Sequence, residues 1–141
     1  MAIIEFSQVT KTFGDITAVK DVSFEVNKGE VFGVIGYSGA GKSTLVRLIN
    51  ALEPLTSGSL NVDGISIAGL PEAELRRLRR RIGMIFQHFN LMNSRSVAQN
   101  VAYPLKVAGW PKEKRAQRVQ EMLEFVGLAD RASTYPAKLS G

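Results

Sequence analysis

The sequence predicts an α/β fold. Three observations carry that expectation. The first third alternates apolar and polar residues at strand spacing. A glycine-rich stretch, Gly36 to Gly41, separates a short apolar run from a stretch of helical periodicity. Nearer the C-terminus, Val119, Met122, Leu123 and Val126 form the apolar stripe of an amphipathic helix.

The elements follow in order. Ile3 to Val9 is the first expected strand and Ala18 to Val26 the second, with Val22, Phe24 and Val26 alternating against Asp21, Ser23 and Glu25. Asn27-Lys28-Gly29 signals a turn. Glu30 to Ile35 reads as a strand buried on both faces. Ser43 to Leu52 reads as helix, with Leu45, Leu48, Ile49 and Leu52 on one face and Pro54 and Gly58 beyond its end. Leu60 to Ile67 turns back on itself at Asp63-Gly64, the dipeptide that favours a two-residue hairpin turn. Pro71 to Arg80 is a helix with Pro at its start and Glu72 and Glu74 near its positive dipole end. Ile82 to Phe86 is another short buried strand. Ser96 to Ala108 stays ambiguous because Pro104 interrupts it. Lys112 to Val126 is a helix with Gly127 as its C-terminal stop.

Composition narrows the class. A chain of 141 residues, 45% hydrophobic and 22% charged, is expected to fold around a real core and is not collagen, a rod or wholesale disorder. No apolar run approaches the roughly 20 residues of a membrane span, and the first residues do not resemble a secretory signal. Cysteine is absent, which excludes disulfides and thiolate metal sites and suits an intracellular protein. One histidine, His88, excludes multi-histidine metal sites within the chain. The formal charge of +5 traces to Arg76, Arg77, Arg79, Arg80 and Arg81; the remaining bases and acids balance. This cluster reads as a solvated helix face, with Glu72 one turn before Arg76, and no nucleic-acid partner is expected.

Gly36 to Thr44, GYSGAGKST, fits G-x-x-x-x-G-K-[ST] and lies between an expected strand and an expected helix. Inward-turned backbone N–H groups and a helix N-terminus make a nest for phosphate anions. Glycine lets the backbone approach closely, a lysine supplies a fixed cation, and the hydroxyl after it suits Mg²⁺. Nucleotide binding is the function this motif predicts.

The order of motifs resembles the ATP-binding subunits of ABC transporters. An aromatic A-loop residue (Phe13, in Thr10 to Gly14) comes first, then the Walker A loop, then a Q-loop glutamine (Gln87) after Ile82 to Phe86, then Leu139-Ser140-Gly141 opening an LSGGQ signature. The resemblance covers essentially the whole chain. It implies a P-loop NTPase (ABC ATPase) fold of the α/β class in truncated form: an antiparallel β-subdomain, a partial parallel core sheet carrying the P-loop, and a helical subdomain. Residues 1–87 would be partial RecA-like core plus β-subdomain, and 88–141 the Q-loop and helical subdomain.

Implied cofactors are ATP and Mg²⁺. Phe13 would stack on adenine. Gly36, Tyr37, Ser38, Gly39, Ala40, Gly41, Lys42, Ser43 and Thr44 would hold phosphates. Lys42 and Gln87 would serve catalysis, and Ser43 and Gln87 would meet Mg²⁺. His88 reads as a coupling-loop residue rather than the family's switch histidine, and Trp110 as a packed loop residue. Arg79 to Leu105 and VIGYSGAGKSTLVRLIN are similar to the ATPases of methionine importers; another amino-acid importer is the nearest alternative. A DNA-repair or chromosome-type head would run into a long coiled coil, for which the sequence shows only one short helix before Tyr135-Pro136. A small-molecule P-loop kinase would leave Leu139-Ser140-Gly141 a coincidence.

By the same resemblance, the chain stops inside the signature, before Walker B, its aspartate, the catalytic glutamate and the switch histidine. The expectation is a chain that binds ATP without appreciable hydrolysis and exposes apolar edges. The intact parent is expected to be a homodimeric sandwich around ATP, peripheral on the cytoplasmic membrane face. It would couple to transmembrane permease subunits and, through them, to a substrate-binding lipoprotein.

Overall fold

Two long strands build the N-terminal unit. β1 (Ala2–Phe13) and β2 (Ile16–Asn27) pair antiparallel, from Ala2 opposite Asn27 to Phe13 opposite Ile16. The structure, a computed structural model, describes residues 1–86, 88 and 90–139. β3 (Ser57–Val62) joins the other side of β1, and β4 (Ile65–Ser66) pairs with β3, so the sheet runs β2-β1-β3-β4. Asp63 and Gly64, at φ of 52° and 75°, form the turn between β3 and β4 as expected.

Both long strands are bulged. Gln8 and Asp21 take φ near 50°, and their N–H groups leave the ladder to donate to Ser23 Oγ (2.8 Å) and Thr10 Oγ1 (3.0 Å). An extra residue flips strand parity. Phe6 and Val9, three positions apart, are therefore both buried, and strict alternation from Ile3 would not have put them together.

Helix α1 (Lys42–Ile49) lays Leu45 and Leu48 onto this sheet, against a core of Phe6, Val9, Val19, Leu60, Val62, Ile67 and Leu78. A fully buried leucine such as Leu48 contributes about 1.5–3 kcal/mol. The helix ends three residues earlier than its periodicity suggested. Ala51 adopts φ of 52°, its N–H donates to Leu48 O, and the N–H of Leu52 donates to Arg47 O at 2.9 Å, which closes a Schellman motif. Leu52 consequently lies outside the helix and exposed.

Helix α2 (Glu72–Arg79) contributes Leu78 to the core and seals the same helix end. Arg79 donates from Nε to Asn50 O (3.0 Å), from Nη2 to Ala51 O (2.8 Å), and from Nη1 to Glu72 (2.8 Å). The arginine cluster is thus not uniformly a solvated face. Arg76, Arg77 and Arg80 are exposed, Arg81 pairs with Asp63, and Arg79 is half-buried against the carbonyls that immediately follow α1.

Two expected strands are absent. Glu30 to Ile35 and Ile82 to Phe86 join no ladder among the described residues, and Val31, Ile35 and Ile85 are almost fully exposed. Apolar runs express a tendency to be buried, but a strand exists only where a neighbouring backbone meets its N–H and C=O groups. What fastens the first segment is aromatic. Phe6, Phe24 and Phe32 stack in series, with centroids 4.5 and 4.8 Å apart.

The chain divides between Gly83 and Met84. The C-terminal unit is built on α3 (Val97–Val107) and α4 (Lys112–Phe125). Ser96 and Gln99 form a reciprocal capping box at the start of α3. That box, and burial of Val97 against Val119 and Leu123, carry the ambiguous segment into helix despite Pro104. Gly127 stops α4, with its N–H on Glu124 O and that of Leu128 on Leu123 O. The apolar stripe of α4 ends at Leu123, because Val126 caps the helix and is exposed. Single turns of tighter helix follow at Ala129–Arg131 and Pro136–Lys138.

Arg79→Ala is expected to lower stability by about 1.5–3 kcal/mol, because it strips charged donors from half-buried carbonyls, while Arg77→Ala stays within about 0.5 kcal/mol. Urea unfolding of both variants checks this. Arg79, then Arg76, hold the Glu72 carboxyl below its ordinary range through their hydrogen bonds. Its contribution is therefore present above the unfolded value near 4.3 and lost as pH falls through the folded one. Stability of Glu72→Gln should fall less steeply below about pH 4.3 than that of the parent chain.

Candidate functional site

The glycine-rich loop enters α1 through Gly41, which caps the helix at φ of 82° without a side-chain partner. A Cβ on Gly41 would lie 2.1 Å from the carbonyl oxygen of Ala18 and 3.6 Å from Val19. Glycine is therefore required here by the backbone of β2, in addition to any ligand. Gly39 differs: its φ of 83° favours glycine, yet nothing lies within 4 Å of a Cβ there.

Lys42 opens the helix and turns back across the loop. Its Nζ donates to Gly36 O (2.6 Å) and Tyr37 O (2.7 Å). The N–H of Ala40 donates to Tyr37 O, which tightens the turn. One ammonium thus spans the loop and holds its charge at the helix start. The first helical bond runs from Leu45 N–H to Gly41 O, and the N–H groups of Lys42, Ser43 and Thr44 precede it as helix-start donors. No acidic residue occupies that first turn, so nothing there competes with an anion. Tyr37, Ser38, Gly39, Ala40 and Ser43 are exposed, while Lys42 and Thr44 are half-buried.

Phe13 ends β1, 43% exposed. It belongs to the same end of the β1–β2 hairpin as the loop contact, since Phe13 faces Ile16, Lys11 faces Val19, and Ala18 touches Gly41. The segment after α1 returns along this end. Thr56 N–H donates to Thr10 O, Thr12 N–H donates to Thr56 Oγ1, and Glu53 reaches Lys11 at 3.5 Å. Sequence reasoning singled out neither Lys11 nor Glu53. Strand parity was the available signal, because Lys11 stands two positions before Phe13.

Gln87 lies outside the described residues, as do Ser140 and Gly141 of the terminal motif; Leu139 packs against the helical core. His88 is exposed. Trp110 is also partly exposed, held by its N–H on Leu105 O in the turn before α4. Among the described residues no group of three His, Cys, Asp or Glu could hold a metal. The helical unit carries a groove of about 640 Å³ that includes Arg95, Lys106, Lys112 and Arg115, with Arg95 over the Tyr103 ring at 5.1 Å.

Comparison with known proteins adds three findings. The ABC transporter family profile matches residues 19–141. The chain is 61% identical over 143 residues to methionine import ATP-binding protein MetN 2 of Rhodococcus jostii, covering 99% of this chain and 42% of that protein. It is 56% identical to the MetN protein of Nocardia farcinica, covering 98% of this chain and 42% of that one. The chain thus spans about two fifths of the length of these curated relatives. Among solved structures it resembles the dimeric ATP-binding cassette MJ0796 bound to ADP and Pi, with a TM-score of 0.88 and 34% identity over 97% of this chain and 63% of that one. A second dimeric structure of MJ0796 gives a TM-score of 0.89, at 35% identity over 98% of this chain and 63% of that one. The α/β fold class of the P-loop NTPase kind, truncated, stands on these likenesses.

Gly41→Ala should lower stability by more than about 3 kcal/mol, because a backbone carbonyl cannot yield as a side chain does, whereas Gly39→Ala should cost about 1–2 kcal/mol from its left-handed backbone alone. Denaturant unfolding of the two variants separates these causes.

Proposed function

This chain belongs to the ABC transporter family, and from that premise we propose that it is the nucleotide-binding part of an importer ATPase that energises uptake of methionine or a related amino acid. The observation that carries the proposal is the loop at the start of α1. Lys42 Nζ is fixed by two loop carbonyls, beside helix-start N–H groups and with no acidic residue in the first turn of the helix. Such a site suits the β- and γ-phosphates of ATP.

Each residue takes a defined part. Gly36 to Thr44 cradle the triphosphate with backbone donors. Lys42 balances charge between the two outer phosphates, and the Ser43 hydroxyl is the ligand offered to Mg²⁺. Bound there with ATP, Mg²⁺ would neutralise phosphate charge and help orient the transferred group. Phe13 supplies a flat apolar face for adenine. Gln87 is assigned to the attacking water and the metal.

In the whole protein, two copies would close around ATP. The exposed groove with Arg95, Tyr103 and Lys106 is assigned to the permease, and the lipoprotein would act through the permease. Among the described residues no helix is long and apolar enough to cross a membrane. The family likeness supports a peripheral subunit at the cytoplasmic membrane face. Short α3 and α4, of 11 and 14 residues, do not favour a chromosome-type head, whose helices run on as a coiled coil.

Isothermal titration of the chain with ATP and Mg²⁺ tests the reading. Wild type is expected to bind, and Lys42→Ala to bind at least about tenfold more weakly, the loss expected for a charge-assisted contact to phosphate. Equal affinity in the two proteins would falsify the assignment of Lys42.

A further inference from the structure

Lys11 is buried to 7% exposure, although an ammonium leaves water only at a cost unless it is paired. It has two partners. Glu53 Oε2 lies 3.5 Å from Nζ, and the Phe13 ring centroid lies 4.5 Å from it. The carboxylate balances the charge, and the ring makes a cation–π contact.

A cation therefore occupies one face of Phe13, while the residue as a whole remains 43% exposed. Two consequences follow. The contact restricts the ring's rotation at a strand end, where a side chain would otherwise sample several rotamers. The cation also draws π density toward itself, so the uncovered face is less negative and better suited to an electron-rich base. Glu53 stands four residues beyond the end of α1, so the chain Phe13–Lys11–Glu53 connects the aromatic platform to the helix that begins at the phosphate loop.

Resting on the reading of Phe13 as the base platform, we propose that Lys11 is a positioning residue: it backs the Phe13 ring and presents its open face to the purine of a nucleoside triphosphate. The cation does not touch the base. Its effect is confined to the base half of the ligand and passes through Phe13.

The test compares ATP with tripolyphosphate, which carries the anion without the base. Both are titrated into the 141-residue chain as wild type, Phe13→Ala, Lys11→Arg and the charge-balanced Lys11→Met/Glu53→Gln. The charge-balanced variant should weaken ATP binding about threefold to tenfold and leave tripolyphosphate within about twofold, and Lys11→Arg should retain ATP. Adding the charge-balanced change to Phe13→Ala should cause no further loss, because the cation acts only through the ring. Wild-type ATP affinity in the charge-balanced variant overturns the proposal. So does equal weakening of both ligands, which marks a structural role. Should Phe13→Ala leave ATP binding unchanged, the reading of Phe13 as the base platform fails and takes the proposal with it; should wild type bind neither ligand, the nucleotide reading itself fails.

Discussion

The carbonyl oxygen of Ala18 sets where the phosphate loop sits. It approaches Gly41 so closely that no other residue fits, and this fixes the start of α1 against β2. From that origin the helix directs Leu45 and Leu48 into the sheet. A small shift at Gly41 would propagate along the helix axis, because a packed core resists continuous deformation. The glycine is thus a constraint of the scaffold before it is a feature of ligand binding.

The far end of α1 is held by different chemistry. There a planar guanidinium fork meets the carbonyls of Asn50, the C-cap residue, and of Ala51 just beyond it. Van der Waals exclusion locates one end and charge-assisted hydrogen bonds the other, with apolar burial between them. Glu72 orients the fork from its own helix, so the same arginine is held within α2 while it reaches the end of α1. Lys11 and Glu53 add a third tie, from the segment after the helix back to β1. The phosphate-loop helix is therefore tied to both the sheet and its neighbouring helix.

Much of this was legible in the residues. Asp63-Gly64 announced its turn, Gly127 its helix end, and GYSGAGKST its entry into a helix, because each depends on chemistry within a few positions. Other features depend on distant partners. The bulges at Gln8 and Asp21 rest on hydroxyls across the ladder, so strict alternation along Ile3 to Val9 does not tell which residues point inward. Arg79 looked like its exposed neighbours until its geometry met Asn50 and Ala51. Glu30 to Ile35 and Ile82 to Phe86 carried strand composition without a ladder in the described chain. At the candidate site, the motif pointed to the glycine-rich loop and the family resemblance to Phe13, while the Lys11–Glu53 pair beside Phe13 left only the i,i+2 spacing of Lys11 and Phe13 as a signal.

The bulge at Asp21 also bears on solubility. In the described sheet β2 is an edge strand, and a long flat edge invites pairing with another chain. Asp21 turns its N–H inward to Thr10, so one rung that a foreign strand would need is already taken. Lys20, Glu25 and Lys28 add charge along the same strand and the turn that follows it. The device that corrects parity for the core thereby makes the rim of the sheet a poor template for aggregation.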